Sequence, residues 1–296
     1  MRNKLGAVMS LGILISSGGA AFADDSYIAA IQKWRAHEAE HLLGPEGPFT
    51  AVARFLPSKG ISSIGRDPSN TIVLPVKAAP ARVGMIDWVE DKAVFELVPG
   101  VKASVQGKTV EKVEISQPVE VAVGAMTLRF AFRNSALRLS VSDPNSDRRH
   151  QAKPQVWFPI DPKYRITADW VPLTEAKTVR IADNDGGSRE WKVPGFATFQ
   201  WEGASIKLEP ILSPDGKVMT FLFRDLTAGK ETYGAGRFLD ADLPKDNKVI
   251  LDFNKAYNPT CAYNELYVCP IPPKENRLVT RIAAGELNYP HPGHGE

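Results

Sequence analysis

Val119-Glu120-Val121-Ala122-Val123-Gly124-Ala125-Met126-Thr127-Leu128-Arg129-Phe130-Ala131-Phe132-Arg133-Asn134-Ser135-Ala136-Leu137-Arg138-Leu139-Ser140-Val141 holds three short β-branched and aromatic runs separated by turn residues. The runs Val119 to Val123, Met126 to Phe132 and Leu137 to Val141 read as strands. Upstream, Thr71 to Leu74, Ala93 to Val98 and Val101 to Val105 repeat the pattern. Short strands at this spacing predict a small β-sandwich over 49–143.

The most polar and turn-rich interior stretch comes next, Ser142-Asp143-Pro144-Asn145-Ser146-Asp147 followed by Arg148, Arg149 and His150. A domain boundary is expected there. Beyond it, Tyr164 to Val171, Lys177 to Ile181, Phe196 to Trp201, Ile206 to Ile211, Val218 to Phe223 and Lys248 to Phe253 read as a second set of strands. They predict a second antiparallel β domain over 151–289, with a disordered tail at 290–296. Asn254 to Pro273 is irregular and dense in Asn, Tyr, Pro and Cys, the kind of loop that carries function on a rigid sheet. The whole reads as a mainly β chain.

The N-terminal end differs. Met1 to Ala23 opens with Arg2 and Lys4, runs through an apolar stretch from Leu5 to Ile15 and closes on Ala21-Phe22-Ala23. This is the pattern of a secretory signal peptide, and no later run is long enough to cross a bilayer. The expected location is extracytoplasmic, in periplasm or medium, after cleavage following Ala23. From Asp25 to Leu43, Tyr27, Ile31, Trp34, Glu38 and Leu42 fall on one face at helical spacing. Gly44-Pro45 and Gly47-Pro48 end that helix, which occupies 24–48.

A formal net charge of +2 offers no field that would argue for nucleic acid or an anionic membrane. The chain holds two cysteines, Cys261 and Cys269. In an oxidising compartment a disulfide between them is the leading expectation, with two buried thiols as the alternative. A metal pair is disfavoured, because no histidine or further cysteine lies nearby in sequence.

His37-Glu38-Ala39-Glu40-His41 matches H-E-x-x-H, which on a helix can hold zinc with the glutamate as base. Glu38 lies inside the apolar stripe, His37 points away from it and no third ligand is evident, so a solvated helix face is the preferred reading. No metal or other cofactor is expected. No G-x-S-x-G elbow, P-loop or dinucleotide fingerprint is present.

The densest polar set lies in the second domain. Phe223 to Leu239 reads as strand, glycine-rich turn and strand, with Arg224 and Arg237 at its shoulders. Asp252, Asn254, Tyr257 and Asn258 follow within Leu251 to Pro259. If these loops converge, Arg224, Arg237 and Arg277 hold an anionic group by forked hydrogen bonds while Asn254, Tyr257 and Asn258 orient it. Asp225, Tyr233, Asp252 and Asn276 complete the candidate ligand site. The competing reading is a buried polar network that pins irregular loops. Carboxylate chemistry at Asp225, Asp252 and Glu286 is a third option.

Two resemblances bear on this. Ile61-Ser62-Ser63-Ile64-Gly65-Arg66-Asp67-Pro68-Ser69-Asn70-Thr71-Ile72-Val73-Leu74 resembles the opening of forkhead-associated (FHA) domains, small β-sandwiches that bind phosphothreonine. That family's Ser-x-x-His segment is replaced here by Ala79-Pro80-Ala81-Arg82-Val83-Gly84, so the resemblance implies the fold and not the ligand. Phe223 to Leu239, Leu251 to Pro259, the two cysteines, Cys269 to Leu278 and Ala284-Gly285-Glu286 look like the bacterial domain-of-unknown-function family numbered sixteen eighty-four. The likeness also includes Trp34-Arg35, Gly65, Pro80-Ala81-Arg82 and Trp157-Phe158-Pro159. That family brings no established reaction or ligand. The functional expectation is an exported protein that binds a small anionic or glycan ligand at the C-terminal loop cluster. A carboxylate-dependent hydrolase and a structural or interaction protein are the alternatives.

Overall fold

A computed structural model describes residues 18–290, with side chains from residue 25. Most of the segment read as a signal peptide, and the tail beyond 290, lie outside the described residues. The chain is mainly β, with one long helix, α1 (Gly18–Leu43), ahead of the strands. α1 thus begins before the expected Asp25.

Eleven strands build the first core: β1 (Ala51–Phe55), β2 (Gly60–Gly65), β3 (Ile72–Val73), β4 (Gly84–Val89), β5 (Lys92–Leu97), β6 (Ala103–Val105), β7 (Lys108–Val110), β8 (Lys112–Ile115), β9 (Val119–Val123), β10 (Met126–Arg133) and β11 (Ala136–Ser142). They form two sheets, ordered β1-β11-β10-β9-β6-β7 and β3-β2-β4-β5-β8. Alternation sends every second side chain inward. Leu137, Leu139 and Val141 of β11 and Ile86 of β4 are therefore fully buried. Phe95 from one sheet meets Phe130 from the other at 5.0 Å between ring centroids. The Gly65-Arg66 turn folds against Ala81, whose carbonyl lies 2.3 Å from any Cβ placed on Gly65. Only glycine fits there.

The stretch expected as a boundary linker is ordered. Ser146 caps α2 (Asp147–Gln151), accepting from Arg149 N, and its hydroxyl donates to Phe49 O at 3.0 Å. Arg149 donates to Leu43 O, Gly44 O and Pro144 O, tying this turn to the end of α1.

The second core is built by β12 (Arg165–Ala182), β13 (Ser188–Trp201), β14 (Ala204–Leu208), β15 (Ile211–Leu212), β16 (Val218–Phe223), β17 (Arg237–Asp242) and β18 (Lys248–Asp252). Their sheets run β14-β13-β12-β18 and β15-β16-β17. The two strands expected at Tyr164 to Val171 and Lys177 to Ile181 are one, β12, whose register against β13 shifts between Pro172 and Lys177. Pro172 cannot donate to a ladder, and a bulge accommodates it. Phe199, Phe221, Phe223, Leu239, Leu251 and Phe253 fill the space between these sheets. Ion pairs cross between the two halves: Arg133 reaches the buried Asp183, which Arg189 of β13 also holds, and Arg138 reaches Asp185 at 3.3 Å.

α1 lies against the second half. Tyr27 Oη donates to Asp252 at 2.8 Å, and Arg35 donates to Phe158 O and Asn254 O at 3.0 Å each. Ile31 is buried, and Leu42 joins Phe49, Tyr263 and Tyr289 in a small satellite core. The face predicted from spacing is thus the docking face.

Candidate functional site

Of the three arginines expected to converge, Arg224 and Arg277 are neighbours across an isolated parallel bridge, while Arg237 turns into the interior. Arg237 is 1% exposed. Its guanidinium donates to Asp225 Oδ1 at 3.3 Å, to Ile282 O at 3.0 Å and to Ala284 O, and it stacks over Phe223. Burial lowers its pKa, and the Asp225 carboxylate opposes that. Asp225 in turn accepts from Ile282 N and from the Thr227 hydroxyl, at 2.7 Å each. This network is closed to solvent, with Arg237 Nε left without a partner among the described residues. Arg224 and Arg277 are exposed, and Arg224 donates to Gly234 O at 2.9 Å. Asn276 is buried and spends its amide on backbone: it accepts from Glu209 N and donates to Glu209 O and Leu222 O. Asn254 and Asp252 are occupied by Tyr27 and the Asp161 backbone. Much of the expected ligand cluster is therefore a set of loop and helix clamps.

The disulfide is absent. Cys261 and Cys269 are free and buried. The Cys269 sulfur accepts from the Cys261 backbone N–H at 3.2 Å. Tyr233 adds its hydroxyl to the Cys261 sulfur at 3.9 Å. Each thiol is shifted most by its neighbour, which raises Cys261 and lowers Cys269.

Two of the predicted residues, Tyr257 and Asn258, do line an open cleft. It has a volume of about 540 Å³ and lies between the C-terminal half of α1 and the loop after β18. Trp34, Glu38 and His41 form one wall, with Asp240, Lys255, Tyr257, Asn258 and Tyr263 opposite. Asp240 is held by two hydroxyls, Thr220 to Oδ1 at 2.6 Å and Tyr257 to Oδ2 at 3.0 Å. Two lining residues carry buried acceptors with no partner among the described residues, Asn258 Oδ1 and Gln155 Oε1. Asn258 is 2% exposed, and its amide nitrogen donates to Leu287 O, which fixes which way the group points.

Residues 155–287 match the family described as protein of unknown function (DUF1684). An uncharacterized protein of Haloarcula marismortui is similar in structure, at 28% identity and a TM-score of 0.40, over 48% of this chain and 80% of that one. An FHA domain of Chlamydia trachomatis aligns at 20% identity and a TM-score of 0.23, over 30% and 83% of the two chains. The FHA domain of FhaA aligns at 15% identity and the same score, over 29% and 85%. No curated protein matches the chain.

The matched stretch, 155–287, supplies the buried Arg237 network and one wall of the cleft, while Trp34, Glu38 and His41 come from α1, outside it. Burial raises the Glu38 carboxyl, with Asp240 adding to the effect and His37 and His41 opposing it. Behind the cleft wall stands Glu286, fully buried, accepting from Tyr263 Oη at 2.6 Å and from Asn258 N at 2.8 Å. Burial pushes its carboxyl up to about 7, against those hydrogen bonds and the Arg237 charge. Desolvation and the Glu286 charge push the Tyr263 phenol well above its ordinary range. His37 is exposed, and no group of three His, Cys, Asp or Glu able to hold a metal occurs among the described residues. The zinc reading of H-E-x-x-H thus has no third ligand. Trp34 and Glu38 were legible as helix-stripe residues. A carboxylate inside an apolar stripe was the one available signal that this face meets more than core.

Proposed function

We propose that this chain is an exported binding protein whose α1 cleft takes a neutral glycan. The observation that carries the reading is the pair of unpartnered acceptors, Asn258 Oδ1 and Gln155 Oε1, in residues that line an aromatic cleft. A buried acceptor without a partner costs about 1–3 kcal/mol, which a ligand hydroxyl would offset. Trp34, Tyr257 and Tyr267 line the cleft with aromatic side chains, the residue type that packs against sugar C–H surfaces. Asp240, pre-oriented by Thr220 and Tyr257, offers both oxygens to vicinal hydroxyls. The anionic ligand fits this cleft poorly, because three carboxyl side chains, Glu38, Glu46 and Asp240, line it beside the single ammonium of Lys255. Export rests on the leader-like residues 1–23.

The test is a thermal-shift and calorimetric titration of the protein with neutral oligosaccharides, repeated on Asp240→Asn. Binding stabilises by mass action. A shift that Asp240→Asn weakens about tenfold or more supports the reading. No shift with any neutral glycan, or equal shifts in both proteins, refutes it.

A second reading has its own observation. Burial raises the Glu38 carboxyl in the same cleft that Asp240 lines, and a raised carboxyl near a second carboxyl group is what a general acid and its partner need. A hydrolase would release reducing ends from a bound glycan and lose that activity in Glu38→Gln while retaining binding. Binding without turnover in the wild-type protein leaves the first reading alone.

A further inference from the structure

On another face of the second half, the segment from Pro270 to Arg277 crosses the sheet edges as a strap. Its start is tied by Ile271 N to Ala182 O at 2.8 Å. Its end is tied by Asn276 to Glu209 and Leu222. A groove of about 510 Å³ lies along this strap, in the range of small-molecule sites. Its floor is apolar: Val179, Ile181, Val193, Leu222, Ile271 and Pro272. Its rim is cationic, with Lys177, Arg180, Lys274 and Arg277 against Glu209 and Glu275. Glu209 is already taken by Lys177 and Lys207, and Arg180 by Glu190. Lys274 and Arg277 are exposed and have no side-chain partner among the described residues.

We infer that this groove binds a long-chain carboxylate, its acyl chain on the apolar floor and its head group between Lys274 and Arg277. An acyl chain suits an apolar floor that runs along a strap tethered at both ends. Two unpaired cations at the mouth suit one carboxylate. A neutral polyol would leave the floor unused, and a cationic amphiphile would meet the wrong charge.

The experiment is calorimetric titration of the full chain at pH 8 with decanoate and dodecanoate, both kept below micelle formation, and with dodecyltrimethylammonium as the head-group control. Each buried methylene is worth about fourfold in affinity, so dodecanoate is expected to bind about 15-fold tighter than decanoate. The double variant Lys274→Glu/Arg277→Glu, at exposed positions, is expected to weaken both by about tenfold or more with an unchanged melting temperature. Val179→Trp, which fills the floor, is expected to abolish binding, and Asp240→Asn in the separate α1 cleft to leave it unchanged. The inference is overturned if chain length has no effect, if the trimethylammonium amphiphile binds as well, or if the double variant binds like wild type.

Discussion

The pKa of Glu286 converts directly into a stability that depends on pH. Burial pushes its carboxyl from the ordinary 4.5 up to about 7, a displacement worth about 3 kcal/mol at about 1.4 kcal/mol per pH unit. Between those two values the folded chain binds more protons than the unfolded one, so stability falls as pH rises. The contribution is fully present below about pH 4.5 and is lost as pH rises through about 7. Many other groups titrate in the same window, so the informative quantity is the difference from Glu286→Gln. Glutamine keeps the shape, accepts from Asn258 N and lets Tyr263 turn from donor to acceptor, but carries no titration.

Urea unfolding of both proteins from pH 4.5 to pH 8 is the assay. The wild-type stability minus that of the variant is expected to fall by about 3 kcal/mol across the series. In thermal melts the same difference corresponds to roughly 5–10 °C for a chain of this size. A difference that stays flat refutes the reasoning, because it means that Glu286 is ionised at little cost in the fold. A difference that rises with pH means that the Tyr263 and Asn258 hydrogen bonds outweigh desolvation.

Other substitutions test the clamps. Arg237→Met leaves Asp225 buried without its cation and is expected to cost about 3–5 kcal/mol in urea unfolding; a loss below about 1 kcal/mol would mean that the network is not structural. Asn276→Ala removes three hydrogen bonds to Glu209 and Leu222 and is expected to cost about 2–3 kcal/mol and raise amide exchange in the strap. Thiol titration in denaturant without reductant is expected to find both cysteines reactive, and a protein with neither reactive contradicts the pairing described for Cys261 and Cys269. Gly236→Ala is expected to destabilise by about 1–3 kcal/mol, since at φ +109° its Cβ would lie 2.5 Å from Phe223 O and 2.7 Å from Pro272 Cγ; a melting temperature equal to wild type would rule this out.

Strands with dense β-branched runs were legible from sequence, and β9 and β16 match residue for residue. The strands missed were of a different kind. β4 alternates inward Gly84, Ile86 and Trp88 with outward Met85, Asp87 and Val89, so its mixed composition hid a regular period. β2 owes its place to the Gly65 turn and to pairing with β4, which is tertiary information. The arginines misled for a related reason. Arg237 looks like a ligand residue because it is charged and flanked by glycines, but Gly236 is there to let Pro272 approach, and the Arg237 charge is spent on carbonyls from 282 and 284. Spacing along the chain carries no information about those distant partners. The cysteines show the same limit: eight residues apart in sequence, they are placed by loop geometry with a sulfur facing an amide.

The polar residues of the C-terminal loops and the long helix explain each other. Asp252 and Asn254 sit where a ligand site was expected, and what they hold is Tyr27 and Arg35 of α1, more than 200 residues away in sequence. An N-terminal helix seated in this way gives the second half an outer wall that its own strands cannot supply, and the cleft forms where the helix runs past the loop at Tyr257 and Asn258. Docking depends on Tyr27, Ile31, Arg35 and Leu42, all of which lie beyond Ala23. The two walls come from opposite ends of the described chain, so the cleft exists only where the helix is docked on the folded second half.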